Sequence, residues 1–456
     1  MHRWREKAEL FFKSEFYPAI ISFLILFGWQ FSHEFNAFVF EQTFHFSIVI
    51  SSIVILLYFA LFAYAIYFKK DGSFTFPLII NLLFATKIHY QAGVYPAFQI
   101  ILAGISILGF IGMMIRHGNI KNGKLSLGLF LLALASFLSV INVPIYTEVF
   151  LYLAVFSYAL YFLLYLGIIN TTETDTRRVF SITVFYTAIL VMAQTFILYF
   201  DNGWFNDLDG FHLFYGWGIS NDAAIILASF LPFMIYLFLE KKLIIYRLIV
   251  TGLLFITMIM TLSRGGTALI FLMGIPCLIF LIKHKIINKR FLVAAITFAA
   301  IASIFFLLNT NFYYHLRHRI FNEAFAMNGR LELFSDALRV FSRYPLFGSS
   351  VLGDRDTGNR FIVYHSLYFN TLAVFGLFGL FAMIVHFIQK YKLIYKNFGT
   401  FALLLFFFVF ITDLYGLLDN TYGNLQYTAI LIIALAVFEK SIPEKESSEL
   451  LIEQSA

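Results

Sequence analysis

The sequence predicts an all-α polytopic membrane protein of about twelve to fourteen transmembrane helices, with one large extracytoplasmic loop carrying an amphipathic helix. Three observations predict it. Hydrophobic residues make up 61% of the 456 and charged residues only 13%, where an ordinary soluble domain has about 25% charged. Apolar runs of about 20 residues, the length that crosses about 30 Å of hydrocarbon, recur along the chain. One long polar interruption, from Asn309 to Ser366, holds seven arginines and no lysine.

Taken in order, the basic first residues lead into an apolar run at 18–29 with no small-residue cleavage site. The first span therefore reads as uncleaved, not as a signal peptide. Runs of spanning length fall at 18–36, 46–68, 74–90, 96–115, 125–142, 146–169, 178–199, 221–240, 246–262, 267–283, 291–308, 367–389, 399–417 and 425–438. The third contains Lys87 and the last is short, so either also fits a re-entrant segment. The chain divides into spans over 1–308, including an outer turn at 263–266, a long extracytoplasmic loop over 309–366 that is the place to look for chemistry, the last spans over 367–438 and a polar tail over 439–456, expected in the cytoplasm.

With the amino terminus in the cytoplasm, alternate loops are cytoplasmic, and lysine and arginine test that choice. Of 32 such residues, 23 fall inside, among them Lys70, Arg178, Arg247 and Lys390. The nine outside are Lys87, Arg264 and the loop arginines Arg317, Arg319, Arg330, Arg339, Arg343, Arg355 and Arg360. Both termini are thus expected in the cytoplasm.

The same distribution excludes several classes. The formal charge of +6 reports topology before it reports nucleic acid. Cys277 is the only cysteine, which removes disulfides and cysteine-based metal sites. The cytoplasmic loops are short and contain no Gly-rich phosphate loop, so no nucleotide site is expected there. Chemistry faces outward, and no cofactor or metal is expected. No two-half internal repeat of the transporter kind is visible.

Three places hold residues suited to chemistry. In Thr261-Leu262-Ser263-Arg264-Gly265-Gly266, the glycines supply backbone freedom for a turn, which sets Arg264 at the outer boundary. The plain structural alternative is an arginine snorkelling to lipid phosphate. In the loop, Leu331, Phe334, Leu338 and Phe341 follow helical spacing after Asn328-Gly329-Arg330, and Pro345 and Gly348 end the run. Arg330 then stands at a helix start, where exposed N–H groups and the dipole favour an anion. Glu332 and Asp336 are spaced to pair with Arg339 and Arg343, which makes those two structural. An arginine fork suits phosphate oxygens, and two arginines can hold a pyrophosphate as a leaving group. His365, where the loop re-enters the membrane, can accept a proton from a sugar hydroxyl; its alternative is an interfacial histidine in the aromatic belt. Asp354-Arg355-Asp356 and Asp207-Leu208-Asp209 have the D-x-D form, a spacing common by chance. In Gly216 to Asp222, Ser220 or Asn221 reads as an N-cap, with Asn221 also a wall of the site. His284 and His386 need no role.

At Ser263-Arg264-Gly265, from Gly329-Arg330 through Tyr344-Pro345-Leu346-Phe347-Gly348, and at His365-Ser366-Leu367-Tyr368, the chain resembles the O-antigen ligase and polymerase superfamily. The resemblance is concentrated over about 260–385, and Gly218 to Asn221 resembles the family's segment before a span. The family has asparagine directly after the loop histidine, where this chain has Ser366. The resemblance implies catalytic roles for His365, Arg330 and Arg264. It implies substrate contacts at Arg264 and Arg330; Asn221, as a wall of the site, and the loop arginines Arg317 and Arg319 are further candidate substrate contacts. The expected protein is a bacterial plasma-membrane glycosyltransferase that moves a glycan from undecaprenyl diphosphate to a glycan or lipid-linked acceptor. Polymerising repeat units is favoured, with ligation to a final acceptor as the alternative. A lipid-linked oligosaccharide flippase is the rival from another class; it would need charged residues lining a cavity, whereas the spans read as nearly charge-free.

Overall fold

A computed structural model of the chain describes residues 9–32, 47–87, 97–118, 120–142, 149–172, 175–203, 213–286, 330–350 and 364–442, with isolated positions between 293 and 317. Among the described residues the regular structure is helical, apart from one isolated antiparallel bridge between Phe214 and Ile219. The helices are α1 Phe16–Gln30, α2 Ser47–Tyr67, α3 Phe76–Leu82 with a preceding 3-10 turn Gly72–Thr75, α4 Ala97–His117, α5 Ser126–Ser139, α6 Val149–Thr171 and α7 Arg177–Asp201. They continue with α8 Ser220–Leu237, α9 Ile244–Met260, α10 Arg264–Lys283, α11 Arg330–Arg343, α12 Leu367–Lys396, α13 Thr400–Tyr415 and α14 Leu425–Lys440. Six of them (α2, α4, α7, α8 with its 3-10 extension, α10 and α12) are long and apolar enough to cross a membrane. The protein is an all-α, multi-pass membrane protein. The span expected at 291–308 lies outside the described residues but for three positions.

Hydropathy does not say which of these helices is central, because lipid tails are as apolar as a leucine core. The windows of α2 and α8 have mean hydropathies of 2.5 and 2.1, yet 33% of the first is buried and 83% of the second. α14 is buried from Gln426 through Phe438. Around this centre, α2, α4 and α10 turn Leu56, Phe59, Leu108, Phe271 and Leu272 outward, as lipid-facing helices do.

Side-chain contacts sort the helix ends into two groups. At one end, Glu15 before α1 meets Arg178 of α7 and Arg247 of α9, with Glu240 completing the network. At the other end, Lys87 reaches Gln30 at 3.2 Å and Asp201 at 2.9 Å, and the Tyr199 hydroxyl reaches the Met260 carbonyl, joining the ends of α7 and α9. The third segment therefore runs the length of the bundle. It begins at Gly72 against Thr171 and ends at Lys87, although its helix stops at Leu82. Beyond it the chain continues in turns, the Leu83, Phe84 and Ala85 amides donating to the Ile80, Asn81 and Leu82 carbonyls at 3.3, 3.0 and 3.2 Å. A buried helix that breaks must find partners for its freed backbone groups. Here the Leu83 carbonyl accepts from Gln426 at 3.2 Å and the Phe84 carbonyl from Gln194 at 2.9 Å.

The second break is at Gly376 inside α12, with φ 64° and ψ −158°. Thr371 and Met383 are in contact at 3.5 Å across it; in a straight helix they would be about 18 Å apart. The turn after α11 supplies the missing partners. Ser349 and Ser350 amides donate to Ala373 and Val374 carbonyls at 2.9 and 3.0 Å, and Leu377 and Phe378 amides donate to Pro345 and Leu346 carbonyls at 2.8 and 3.1 Å. Two glycines make the approach possible: a Cβ on Gly376 would lie 2.6 Å from the Leu346 carbonyl carbon, and one on Gly348 would overlap the Val374 carbonyl.

The helix expected in the loop is α11. The face that packs on α12 is Ala337 and Val340, flanked by Leu333 and by Phe334, whose ring stacks on Phe369 at 4.5 Å. Leu331 and Leu338 are exposed, as apolar side chains of a helix at a membrane surface are. Three expectations need correction. Lys390, expected in a cytoplasmic segment, is fully buried on Asp413; the apolar run simply outlasts the span and conceals it. The spans are therefore not charge-free. The N-cap of α8 is Ile219, with Asp222 closing back onto its amide at 2.9 Å, so neither Ser220 nor Asn221 is the cap.

Candidate active site

Four helices begin at the same end of the bundle: α8, α10, α12 and α14. Their first turns are stitched together by short polar side chains. Ser263 caps α10, accepting from the Gly266 amide at 3.0 Å, and donates across to Asn221 Oδ1 of α8 at 2.7 Å. Asn424 caps α14, accepting from the Tyr427 amide at 2.7 Å, and donates to Asp222 Oδ1 at 2.8 Å. Ser366 leads into α12, whose first amide, Leu367 N, donates to the Gly416 carbonyl at 2.7 Å.

His365 sits in the middle of these starts, in a left-handed backbone conformation with φ 29°. Its Nδ1 lies 3.2 Å from Asp419 Oδ1, and the ring is 41% exposed while Asp419 is 12% exposed. A carboxylate only accepts, so Nδ1 is the donor and Nε2 of the neutral ring is left as a proton acceptor. Asp419 is itself held by the Asn420 amide at 2.9 Å and the Tyr415 hydroxyl at 3.5 Å.

Tyr415 is the common neighbour. Its ring fills the space where Gly265 has no side chain: a Cβ there would lie 2.7 Å from Tyr415 Cζ and closer still to the hydroxyl. The Arg330 guanidinium is near enough to act on the same phenol, and Asp419 and the His365 ring are both near enough to act on Asp222. The start of α10, the start of α11 and His365 are thus gathered around Tyr415 and Asp419. The glycines of the turn serve close packing, since Gly266 would likewise overlap Ala224. The left-handed residue of that turn is Leu262, at φ 51°.

Of the residues expected from sequence, Arg264, Arg330, His365 and Asn221 lie in this region, Arg264 and Arg330 both partly exposed. Arg317 is exposed and isolated among the described residues, and Arg319, Arg355 and Arg360 fall outside them, as do both D-x-D pairs. Arg339 pairs with Asp336 at 2.8 Å as its spacing predicts. Asp419, Tyr415, Asp222 and Asn424 were not singled out as site residues. The available signal was the run Thr412-Asp413-Leu414-Tyr415-Gly416-Leu417-Leu418-Asp419-Asn420, where two carboxylates and an asparagine close an otherwise uncharged span.

Residues 249–384 match the family model described as O-Antigen ligase. Over those residues the chain is similar to an O-antigen ligase domain. This match supports membership of the O-antigen ligase and polymerase superfamily. The O-antigen ligase match runs from α9 into α12 and takes in Arg264, Arg330 and His365, while Asn221, Asp222 and Asp419 lie beyond its limits. No curated protein matches the chain.

Proposed function

We propose that the protein is an extracytoplasmic glycosyltransferase of the bacterial plasma membrane. It moves a glycan from undecaprenyl diphosphate to an acceptor sugar and so polymerises repeat units of a cell-surface polysaccharide. The observation that carries this reading is the His365–Asp419 contact of 3.2 Å, at a place where helix starts and the arginines Arg264 and Arg330 gather. In the reaction the acceptor hydroxyl attacks the anomeric carbon, and its proton passes to His365 Nε2. The bond from that carbon to the diphosphate breaks, and its electron pair leaves with the phosphate oxygen. Asp419 orients the ring and balances the imidazolium that forms. Arg264 and Arg330, aided by helix N-termini, offset the charge that grows on the diphosphate. Asn221, Arg317 and Arg319 are proposed to contact the substrate.

Ligation of a finished glycan to a final acceptor is the second reading, favoured by the description of the matched family. Purified protein reconstituted in lipid with undecaprenyl-diphosphate-linked repeat units and no nucleotide tests both. A glycan ladder is expected, and His365→Ala and Arg330→Ala are each expected to abolish it while the protein remains in the membrane. Near-normal product from either variant overturns that residue's role. Transfer only when a separate acceptor is supplied identifies a ligase. Passage of the intact unit across the bilayer, with no product, overturns the transferase reading in favour of a flippase.

A further inference from the structure

Two charges lie inside the bundle beside the candidate site. Lys390 Nζ of α12 and Asp413 Oδ2 of α13 are 2.7 Å apart, with the lysine side chain 0% exposed and the aspartate 6%. The ammonium also donates to the Tyr422 hydroxyl at 2.9 Å and lies 4.0 Å from the Phe387 ring centre. Tyr391 donates to the same aspartate oxygen at 2.7 Å. Taking ions out of water costs several kcal/mol each, and a lysine near a helix end has an alternative, since its stem lets the ammonium reach the boundary. Lys392 and Lys396, on the same helix, are exposed. Lys390 instead turns inward.

The pair is not needed to bring α12 and α13 together, because residues 397–399 already join them. What it fixes is how far α13 lies along α12. That register matters because residues 413–419 are the rail on which 365–368 hang. The Asp413 carbonyl accepts from the Tyr368 hydroxyl at 3.3 Å, the Gly416 carbonyl from the Leu367 amide at 2.7 Å, and Asp419 holds His365 at 3.2 Å. Asp413 is the residue at which the buried pair and this rail coincide.

We propose that Lys390 and Asp413 are positioning residues, an ion pair inside the membrane bundle that sets the register of α13 so that Asp419 meets His365. The proposal rests on His365 as the base for its catalytic consequence, but not for its geometric one. Removing one partner leaves an unpaired buried charge, whereas removing both is far milder. The informative variant is therefore Lys390→Met with Asp413→Asn together.

Two readouts are taken in proteoliposomes. The first is turnover of undecaprenyl-diphosphate-linked repeat units. The second, independent of activity, is the rate at which a short bifunctional methanethiosulfonate joins His365→Cys to Asp419→Cys in a Cys277→Ala background. In the double variant kcat is expected to fall about 10–100-fold with the donor KM unchanged, as misplacement of a catalytic group by about 1 Å does. Cross-linking is expected to slow about tenfold while the thermal midpoint holds. Asp413→Glu keeps the pair and lengthens it by one methylene; it is expected to fold and to slow cross-linking to an intermediate degree, which keeps the test open if the double variant misfolds. Unchanged cross-linking in either variant overturns the proposal, whatever turnover does. Slowed cross-linking in a protein with no turnover in any form supports the positioning role and overturns the catalytic reading instead.

Discussion

Replacing Gly265 by alanine sets two effects of known size against each other. Gly265 lies in the first turn of α10 with no left-handed backbone, so helix propensity alone favours alanine by about 1 kcal/mol. Packing opposes it. The new methyl would sit 2.7 Å from Tyr415 Cζ, where carbon pairs are comfortable at about 3.5–4.0 Å. The ring has to withdraw by roughly 1 Å or more, and overpacking of this kind costs about 1–3 kcal/mol. The balance is a protein destabilised by about 0–2 kcal/mol. Function suffers more, because the withdrawing hydroxyl is the one 3.5 Å from Asp419. If Asp419, and with it His365, follows the hydroxyl by about 1 Å, turnover falls about 10²-fold, or about 2.7 kcal/mol in the barrier. Gly104 of α4 provides the control, since nothing lies within 4 Å of its added Cβ. Gly104→Ala is expected to gain about 0.5–1 kcal/mol and to keep full turnover. Thermal unfolding in detergent and transfer in proteoliposomes read the two quantities separately. Turnover of Gly265→Ala within about twofold of the unsubstituted protein would refute the role given to Tyr415.

Other substitutions probe separate joints. Asp419→Asn keeps the shape but replaces the carboxylate that faces His365, and is expected to lower kcat about 10–100-fold at unchanged donor KM. Gly348→Ala places a side chain at φ 70° against the Val374 carbonyl, costing about 1–2 kcal/mol in conformation alone; faster proteolysis within 330–350 is the expected sign that α11 has come away. Gln426→Leu removes the donor to the Leu83 and Trp217 carbonyls, and unfolding measurements are expected to show a loss of about 1–3 kcal/mol. Arg339→Ala breaks a pair whose arginine is 51% exposed, so stability should move by no more than about 0.5 kcal/mol, with glycan yield unaltered.

The helices were legible because membrane crossing imposes a length of apolar chain that survives any arrangement of the bundle. The predicted 125–142, 221–240 and 425–438 stand against α5 with its 3-10 extension, α8 with its own, and α14. What hydropathy could not carry is side-chain contact. At the break after Leu82, Gln194 and Gln426 reach the freed carbonyls from α7 and α14, residues more than a hundred positions away. Lys390 read as topology because its charge counts the same whether it points to water or to Asp413. His365, Arg264 and Arg330 stood out because each is a polar group where an apolar run begins or ends. Asp419 and Tyr415 did not, since their place beside His365 depends on the bend at Gly376 and the close approach of Gly265, neither of which has a local sequence period.

The charges of the site also explain why carboxylates stand among groups expected to hold an anion. A helix start carries about +0.5 of a charge, so the four starts of α8, α10, α12 and α14 together supply about +2. Asp222 and Asp419 oppose this with two negative charges, and both are tied to these first turns, through the Ile219 amide and Asn424 in one case and beside the start of α12 in the other. Helix ends and carboxylates thus oppose one another at this place, and Arg264 and Arg330 stand beside them, both partly exposed. A dipole stays fixed to its helix, whereas an arginine fork on a side chain can follow a phosphate as it departs. Under the proposed reaction, the carboxylates keep the helix ends from binding the diphosphate too firmly in its resting state, and the arginines supply the interaction that strengthens as the bond breaks.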